Sequence, residues 1–580
     1  MESAQVNLGT PCSQLVAPSL HGAEVLQISA AEVHNYSFPP VRGFNMPGVS
    51  DVAFCNVTAS LRHTGADDTV YVYVWLPLKD WNGRYQATGG GGLAAGMGPL
   101  LMSGQVADGY AVSSTDGGLT KNQTVDPQSG LWALRDDGSL DEALSLNLAW
   151  RSIHDMAVVS KDVVRQFYGT EPKYSYWNGC SQGGRQGYAA AAKYPHDFDG
   201  ILAVAPAIDF VDMVPSDYYP PVVLRNAEEV PPECIFPEYQ AAIIEACDTL
   251  DGVADGLISS HESLEACSFD PDTLVGKTIT CGEDCLDRDP FLGWVHVPCR
   301  KTSELTITPA HADIVRKILA GPHTTAADGD GNSRRLWYGL APGADFDVLA
   351  RVALIDNGTH PRREVVPFAV AENWLKYFAL QDPSYDMAAM THEDYVAAHE
   401  LSVARLGPLW GNQNLDLAAF RQSGNKLLTW FGLADQYITP FGMIRYREGV
   451  EEKFGGPDAV DEWYRLFFAP GVGHCAGGVG PNPVNPLGAL VSWVEQGKAP
   501  DVLAAAKTTE DGVHITRDLC RFPKKLVYAK GDVNEASSFI CSEEEEGEEK
   551  EGGKGGEKEE EGGGDGDSDG THRKERHEEL

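Results

Sequence analysis

Gly179-Cys180-Ser181-Gln182-Gly183 is a G-x-S-x-G run. That spacing sets a serine at the apex of a sharp strand-to-helix turn, with glycines letting strand and helix pack closely. The preceding "YSYWNG" (174–179) predicts a strand, and the following "RQGYAAAAKYP" predicts a helix. A serine held there projects over the C-terminal edge of a sheet, beside the positive end of a helix dipole. Its chemistry is nucleophilic, and it needs a base and a group that orients the base. Asp435 follows the strand-like "KLLTWFGLA", and His474 follows "YRLFFAP". Each alone reads equally as a turn aspartate or a loop histidine. Together they complete the chain order Ser, Asp, His, both after predicted strands.

Cys180 precedes the candidate nucleophile and Cys475 follows the candidate base. If Ser181 meets His474, these two sulfurs come within bridging reach. An acyl-transfer site also needs N–H donors for an oxyanion. "TGGGGLAAG" (88–96) follows an early predicted strand, where one donor belongs, and the N–H of Gln182 would be the second. The glycine run lacks both G-K-[S/T] and the G-x-G-x-x-G spacing, which argues against a nucleotide.

"CDTLDGVADGLI" (247–258) gathers Asp248, Asp251 and Asp255 with Gly252 and Gly256. Hard oxygen ligands on a tight loop suit Ca²⁺, although this is not an EF-hand. Cys247 and Cys267 flank the loop and could staple it. The plainer alternative is an Asp/Gly surface turn.

The elements that must position these residues alternate. Strands are predicted over 70–78 and 110–116, one helix over 144–169 with apolar residues near i, i+3 and i+4, and a strand over 199–207. Strand–helix alternation predicts an α/β fold with a mostly parallel sheet. Beyond Ala207 the rhythm stops and cysteine and proline become frequent, then it returns at 426–435 and 464–474. The expected organisation is a core over 1–207, an inserted lid over 208–395 bearing the calcium loop, a second core part over 396–541, and a tail over 542–580. The tail is Glu/Gly-rich, almost without apolar residues, and is predicted to be disordered.

The chain has 580 residues, 42% hydrophobic, enough for a large core, and a net charge of −39. Residues 542–580 hold 17 acidic and 6 basic side chains, so most of the negative charge lies on the body. Such a surface repels phosphate backbones and anionic lipid, which excludes nucleic acid as a partner. No run of about 18 apolar residues exists, so no membrane span is predicted. The 12 cysteines include no C-x-x-C pair and no zinc spacing. Four N-x-S/T sequons, at Asn35, Asn56, Asn122 and Asn357, join the even cysteine count in pointing to a secreted glycoprotein. The first residues show no signal peptide, so a truncated start is expected. The final His-Glu-Glu-Leu is similar to an endoplasmic-reticulum retention address, which makes that lumen the alternative location.

Together "GCSQGG", "GHCAGG", "YPHDFDGILAVAPA", "GLADQYITP" and "CDTLDGVADG" resemble the tannase and feruloyl esterase family over roughly residues 10–525. The resemblance implies an α/β-hydrolase core with a large inserted lid, Ser181 as nucleophile, His474 as base, Asp435 as its orienter, and a Cys180–Cys475 bridge. It implies oxyanion donors from Gly90 or Gly91 and from Gln182. It implies calcium held by the Asp248, Asp251 and Asp255 side chains and the backbone oxygens of Val253 and Leu257. The implied substrates are small aromatic esters of hydroxycinnamic or gallic acid, of the plant cell-wall or polyphenol kind. Feruloyl and galloyl specificity are not separated, because ring hydroxyls are read by lid side chains. Two other readings are a catalytically silent calcium-dependent binding protein on the same fold and an acyltransferase. Cys12–Cys55 and Cys520–Cys541 read as local staples, while Cys234, Cys281, Cys285 and Cys299 leave three pairings open.

Overall fold

Nine strands in one mixed sheet organise the computed structural model, which describes residues 9–543 except 42–45, 290–292, 325–332, 356–361 and 412–413, and no side chain within 283–301. Of the tail expected to be disordered, Ser542 instead ends a strand, Phe539–Ser542; residues 544–580 with their His-Glu-Glu-Leu end, and the Asn357 sequon, lie outside the described residues. In chain order the first seven strands are β1 (Ala23–Phe38), β2 (Val49–His63), β3 (Val70–Pro77), β4 (Arg84–Thr88), β5 (Ala111–Thr115), β6 (Tyr174–Cys180) and β7 (Gly200–Val204). The inserted region supplies β8 (Thr278–Asp289), β9 (Gly293–Thr306), β10 (Val352–Ile355) and β11 (Arg362–Val365), and the core resumes with β12 (Lys426–Gly432) and β13 (Tyr464–Ala469).

The sheet order is β1-β2-β3-β5-β4-β6-β7-β12-β13. β1, β2, β3 and β5 pair antiparallel, and from β5 onward every neighbour is parallel. The parallel strands are almost wholly buried, as β12 and β13 show. This is why they read as unbroken apolar runs: helices cover both faces. β2 instead alternates, with Val57, Ala59 and Leu61 inside and Asn56, Thr58 and Ser60 half-covered, the period of a strand with one solvated face. The long β1–β2 hairpin was not read from the sequence.

The helix predicted over 144–169 is interrupted. A turn of π-helix at Asn147–Arg151 separates helix Glu142–Leu146 from helix Ser152–Tyr168. The wider turn frees the Asn147 side chain, which donates to Asp68 Oδ2 (3.0 Å) and to the Gly117 carbonyl (2.9 Å). The second helix buries Ile153, Met156, Ala157, Val163, Val164 and Phe167 along one face and ends on Gly169 at φ +72°.

The region expected as an insertion lies between β7 and β12. Its β8–β11 make a separate four-stranded sheet, and helices Phe210–Ser216 and His392–Trp410 pack on each other and on the core. Phe210 stacks on Trp410 at a centroid distance of 4.9 Å, Trp374 meets both rings edge-on at 5.0 Å, and the Arg185 guanidinium from the core lies 4.7 Å over Trp410. That aromatic cluster fastens the insertion to the helix behind Ser181.

Candidate active site

β4, β6, β12 and β13 are mutually parallel, so the residues just past their C-terminal ends share one edge of the sheet. Gly90 and Gly91 follow β4, Ser181 follows β6, Asp435 follows β12 and His474 follows β13. Ser181 sits between β6 and helix Gln182–Lys193 at φ +63°, ψ −125°, a conformation L-residues rarely adopt. Such backbone stores on the order of 1–3 kcal/mol and persists only where its surroundings enforce it. Here the Ser181 N–H donates to the Val204 carbonyl (3.0 Å), and its carbonyl accepts from Arg185 (3.0 Å). Glycine is required beside it: a Cβ on Gly179 would lie 2.5 Å from the Gly183 carbonyl oxygen, and one on Gly183 would lie 2.9 Å from the Gly90 oxygen.

Asp435 is fully buried, and its carboxylate is satisfied on both oxygens. Oδ1 accepts the N–H groups of Tyr437 and Ile438 (2.9 Å each), and Oδ2 faces His474 Nδ1 at 2.8 Å. This arrangement puts a proton on Nδ1 and leaves Nε2 as the basic nitrogen. The His474 backbone N–H donates to Gln436 Oε1 (3.0 Å), and the Tyr437 ring lies 5.1 Å from the imidazole, so ring and loop are both braced. Ser181 and His474 line the same cavity. No hydrogen bond joins Ser181 Oγ to His474 among the described residues; such contacts tighten when substrate docks.

The Cys180–Cys475 disulfide is present, with Cα atoms 5.8 Å apart. A ring nitrogen of His474 lies within 4.8 Å of both sulfurs, and this trio is the one cluster of potential ligand atoms that tight among the described residues. The two sulfurs are bonded to each other, so the trio is a clamp and not a metal site. Cys12–Cys55, Cys247–Cys267 and Cys520–Cys541 pair as expected, and Cys234 pairs with Cys281. The side chains of Cys285 and Cys299 lie outside the described residues.

The two candidate glycines differ. Gly90 is buried and its N–H donates to Gln186 Oε1 (2.9 Å), while its carbonyl accepts from Gly183 (3.0 Å). Gly91 is half-buried on the cavity wall. Gln182 is the first residue of its helix, where backbone N–H groups have no partner within the helix. Two glutamines that the sequence reading passed over hold the glycine loop in shape. Gln186 also donates to the Ala95 carbonyl (3.1 Å), and Gln128 donates to the Gly91 carbonyl (2.8 Å) while accepting from Leu93 (3.0 Å). Gln186, one helical turn beyond Gln182, was within reach of a positional argument; Gln128 and Gln436 carry no local signal.

The cavity measures about 710 Å³. Gly91, Ser181 and His474 line one side, and Phe210, Val214, Phe368 and Val370 from the insertion line another. Its polar lining comes mostly from the core, Gln105, Asp108, Gln128, Asn178, Gln436 and Asn485 among others, and Asp217 is the carboxyl that the insertion adds. A mostly apolar chamber with polar groups on its wall, beside a nucleophile, suits a small organic ester.

On the loop expected to bind calcium, Asp248 Oδ1 accepts the N–H groups of Asp255, Gly256 and Leu257 (3.0–3.2 Å). Asp255 Oδ2 pairs with the buried Arg517 at 2.7 Å. Asp251 Oδ2 is buried without a hydrogen-bond partner, and no described hydrogen bond ends on the Val253 or Leu257 carbonyl. Asp251 Oδ2 is thus open to a hard cation, while Arg517 competes for Asp255 and the three carboxylates do not bring one oxygen each within 4.8 Å of one another.

A parallel sheet with its nucleophile turn, acid and histidine on one edge defines an α/β hydrolase. The model of the family described as "Tannase and feruloyl esterase" matches residues 55–542, and the chain belongs to that family of carboxylic ester hydrolases. A "Probable feruloyl esterase" of Arthroderma benhamiae is 41% identical over 550 residues, covering 93% of this chain and 95% of the relative. "Feruloyl esterase C" of Talaromyces stipitatus is 28% identical, covering 93% and 96%. Among solved structures, a tannin acyl hydrolase from Aspergillus niger superposes with a TM-score of 0.76 at 25% identity, covering 92% and 94% of the two chains. Feruloyl esterase B from Aspergillus oryzae gives 0.70 at 24%, covering 90% and 98%, a likeness of fold.

Proposed function

We propose that the chain hydrolyses esters of phenolic acids, hydroxycinnamic before gallic, by a serine acyl-enzyme route. The observation that carries this reading is the pairing of Asp435 with His474 at the wall of an apolar cavity that also holds Ser181. His474 Nε2 takes the Ser181 proton as Oγ attacks the ester carbonyl, and returns it to the departing alcohol. Asp435 stays ionised, fixes the ring tautomer and stabilises the imidazolium. The N–H groups of Gly91 and Gln182 hold the oxyanion; Gly90 serves by shape, because its own N–H is spent on Gln186. Water enters the vacated alcohol side, is deprotonated by His474 and releases the acid.

The preference for hydroxycinnamate is supported by the name of the 41%-identical relative. A calcium ion fits the inserted loop, held by Asp248, Asp251 and Asp255 with the carbonyls of Val253 and Leu257. Its charge would neutralise those acids and fix the loop, whose Leu257 packs against Gly471 on the loop that carries His474. Disulfides at five described pairs suit an oxidising, secretory destination.

The test is turnover of methyl ferulate, methyl p-coumarate and methyl gallate by the wild type and by Ser181→Ala. Ferulate and coumarate are expected to outpace gallate, and all turnover is expected to vanish in the variant. Negligible rates on all three esters by a protein whose Ser181 reacts with a fluorophosphonate would discard the substrate class.

A further inference from the structure

Asp217 is a buried acid that the mechanism above leaves unused. It follows helix Phe210–Ser216, is 5% exposed, and contributes to the wall of the cavity that holds Ser181 and His474. Its backbone N–H is engaged by the Met213 and Val214 carbonyls, but no described hydrogen bond reaches its carboxyl. Buried polar groups in folded proteins are nearly always paired, so a carboxyl without a described protein partner, on a residue of the substrate cavity's wall, points to a ligand.

The surroundings specify what that ligand group is. Phe210, Met213, Val214 and Tyr437 line the cavity beside Asp217, a setting for a flat ring and not for a sugar. Other polar wall groups, such as Gln105, Asp108, Asn178 and Asn485, belong to the core, and Asp217 is the carboxyl that the insertion contributes. The setting also favours the neutral form of Asp217. Burial, then the nearby Asp435 carboxylate, raise its pKa well above the usual carboxylate range. The C-terminal end of its own helix acts in the same direction. A neutral carboxyl offers one O–H donor and one carbonyl acceptor, the complement of a phenolic hydroxyl.

We infer that Asp217 determines specificity for the acid half of the substrate, its carboxyl exchanging paired hydrogen bonds with a hydroxyl on the ring of the acyl group. This rests on the phenolic-ester reading above and names the residue that would read the phenol. Without a ring hydroxyl the carboxyl stays unpaired in an apolar wall, and the enzyme discriminates through that penalty.

The experiment compares kcat/KM for methyl p-coumarate and methyl cinnamate, which differ only in the ring hydroxyl. The wild type is expected to favour coumarate by about 10²-fold or more. Asp217→Leu is expected to bring the two esters within a few-fold of each other, with the cinnamate rate kept and Ser181 still labelled by a fluorophosphonate. Should the leucine variant not label, Asp217→Asn is read instead, with the preference expected to fall about tenfold. An unchanged preference in a labelled variant, or an equal fall on both esters, overturns the role of Asp217. A wild type that labels but hydrolyses neither ester overturns the phenolic reading and this inference with it, so the two failures are told apart.

Discussion

Cys180 and Cys475 are covalently joined although 295 positions separate them, and they flank the nucleophile and the base directly. The bond therefore fixes the distance between two loops from different strands. On the chain-entropy view, closing so long a loop contributes about 5 kcal/mol through the unfolded state. Replacing both cysteines by alanine is expected to lower the thermal unfolding midpoint and to reduce kcat more than it raises KM. A variant with wild-type melting and wild-type kcat would remove the clamp from the account.

The triad makes graded demands. Asp435→Asn keeps the buried shape but favours the wrong imidazole tautomer, and is expected to lower kcat by about 10⁴-fold. Ser181→Ala is expected to lose turnover to a comparable extent and to abolish fluorophosphonate labelling, while near-ultraviolet circular dichroism stays unchanged. Gln436→Ala removes the acceptor of the His474 N–H and is expected to cost about tenfold in kcat, an intermediate effect, because the ring keeps Asp435.

A second buried pairing sets a stability window. His63, 5% exposed, bonds Asp68 Oδ2 at 2.6 Å and Asp155 Oδ2 at 2.8 Å. Burial alone would lower its pKa, but the hydrogen bonds to Asp155 and Asp68 outweigh burial and raise it above the ordinary value. Asp68 moves the other way, to about 2; burial opposes that shift, and its bonds from His63 and Asn147 prevail. A raised histidine stabilises fully below its unfolded pKa of about 6.5 and loses that contribution as pH rises through the folded value. A depressed aspartate stabilises above about 3.9 and loses its contribution as pH falls toward 2. Thermal stability from this cluster is thus expected to peak between about pH 4 and 6.5. His63→Ala should flatten the alkaline side of that profile and cost about 3–5 kcal/mol by leaving the buried Asp155 without its partner, while Asp68 keeps Asn147. A profile identical in wild type and variant would refute the coupling.

Chelation tests the loop at Asp251. If the loop holds calcium, exhaustive treatment with EDTA is expected to lower the melting midpoint, and added Ca²⁺ to restore it with a concentration dependence. Asp251→Ala is expected to melt at one temperature whatever the calcium concentration. A wild type indifferent to EDTA and to Ca²⁺ would leave Arg517 as the partner that stabilises Asp255.

The residues around Ser181 were legible because their constraint is local. A strand-to-helix reversal with φ +63° at its apex demands glycines at Gly179 and Gly183, and that demand is written in five consecutive letters. The parallel strands were legible because burial on both faces makes them continuously apolar. The candidate acid and base followed from the same cause, since parallel strands deliver their C-terminal ends to one edge. Only the tertiary structure decided the rest. The β1–β2 hairpin hides because β1 is half-exposed and polar along much of its length. Gln128, Gln186 and Gln436 acquire roles from partners tens of residues away, and a glutamine in isolation carries no mark of what it will face. Backbone sterics act between neighbours and can be read in order; a side chain's environment is assembled by the packing of remote segments and exists only once the chain has folded.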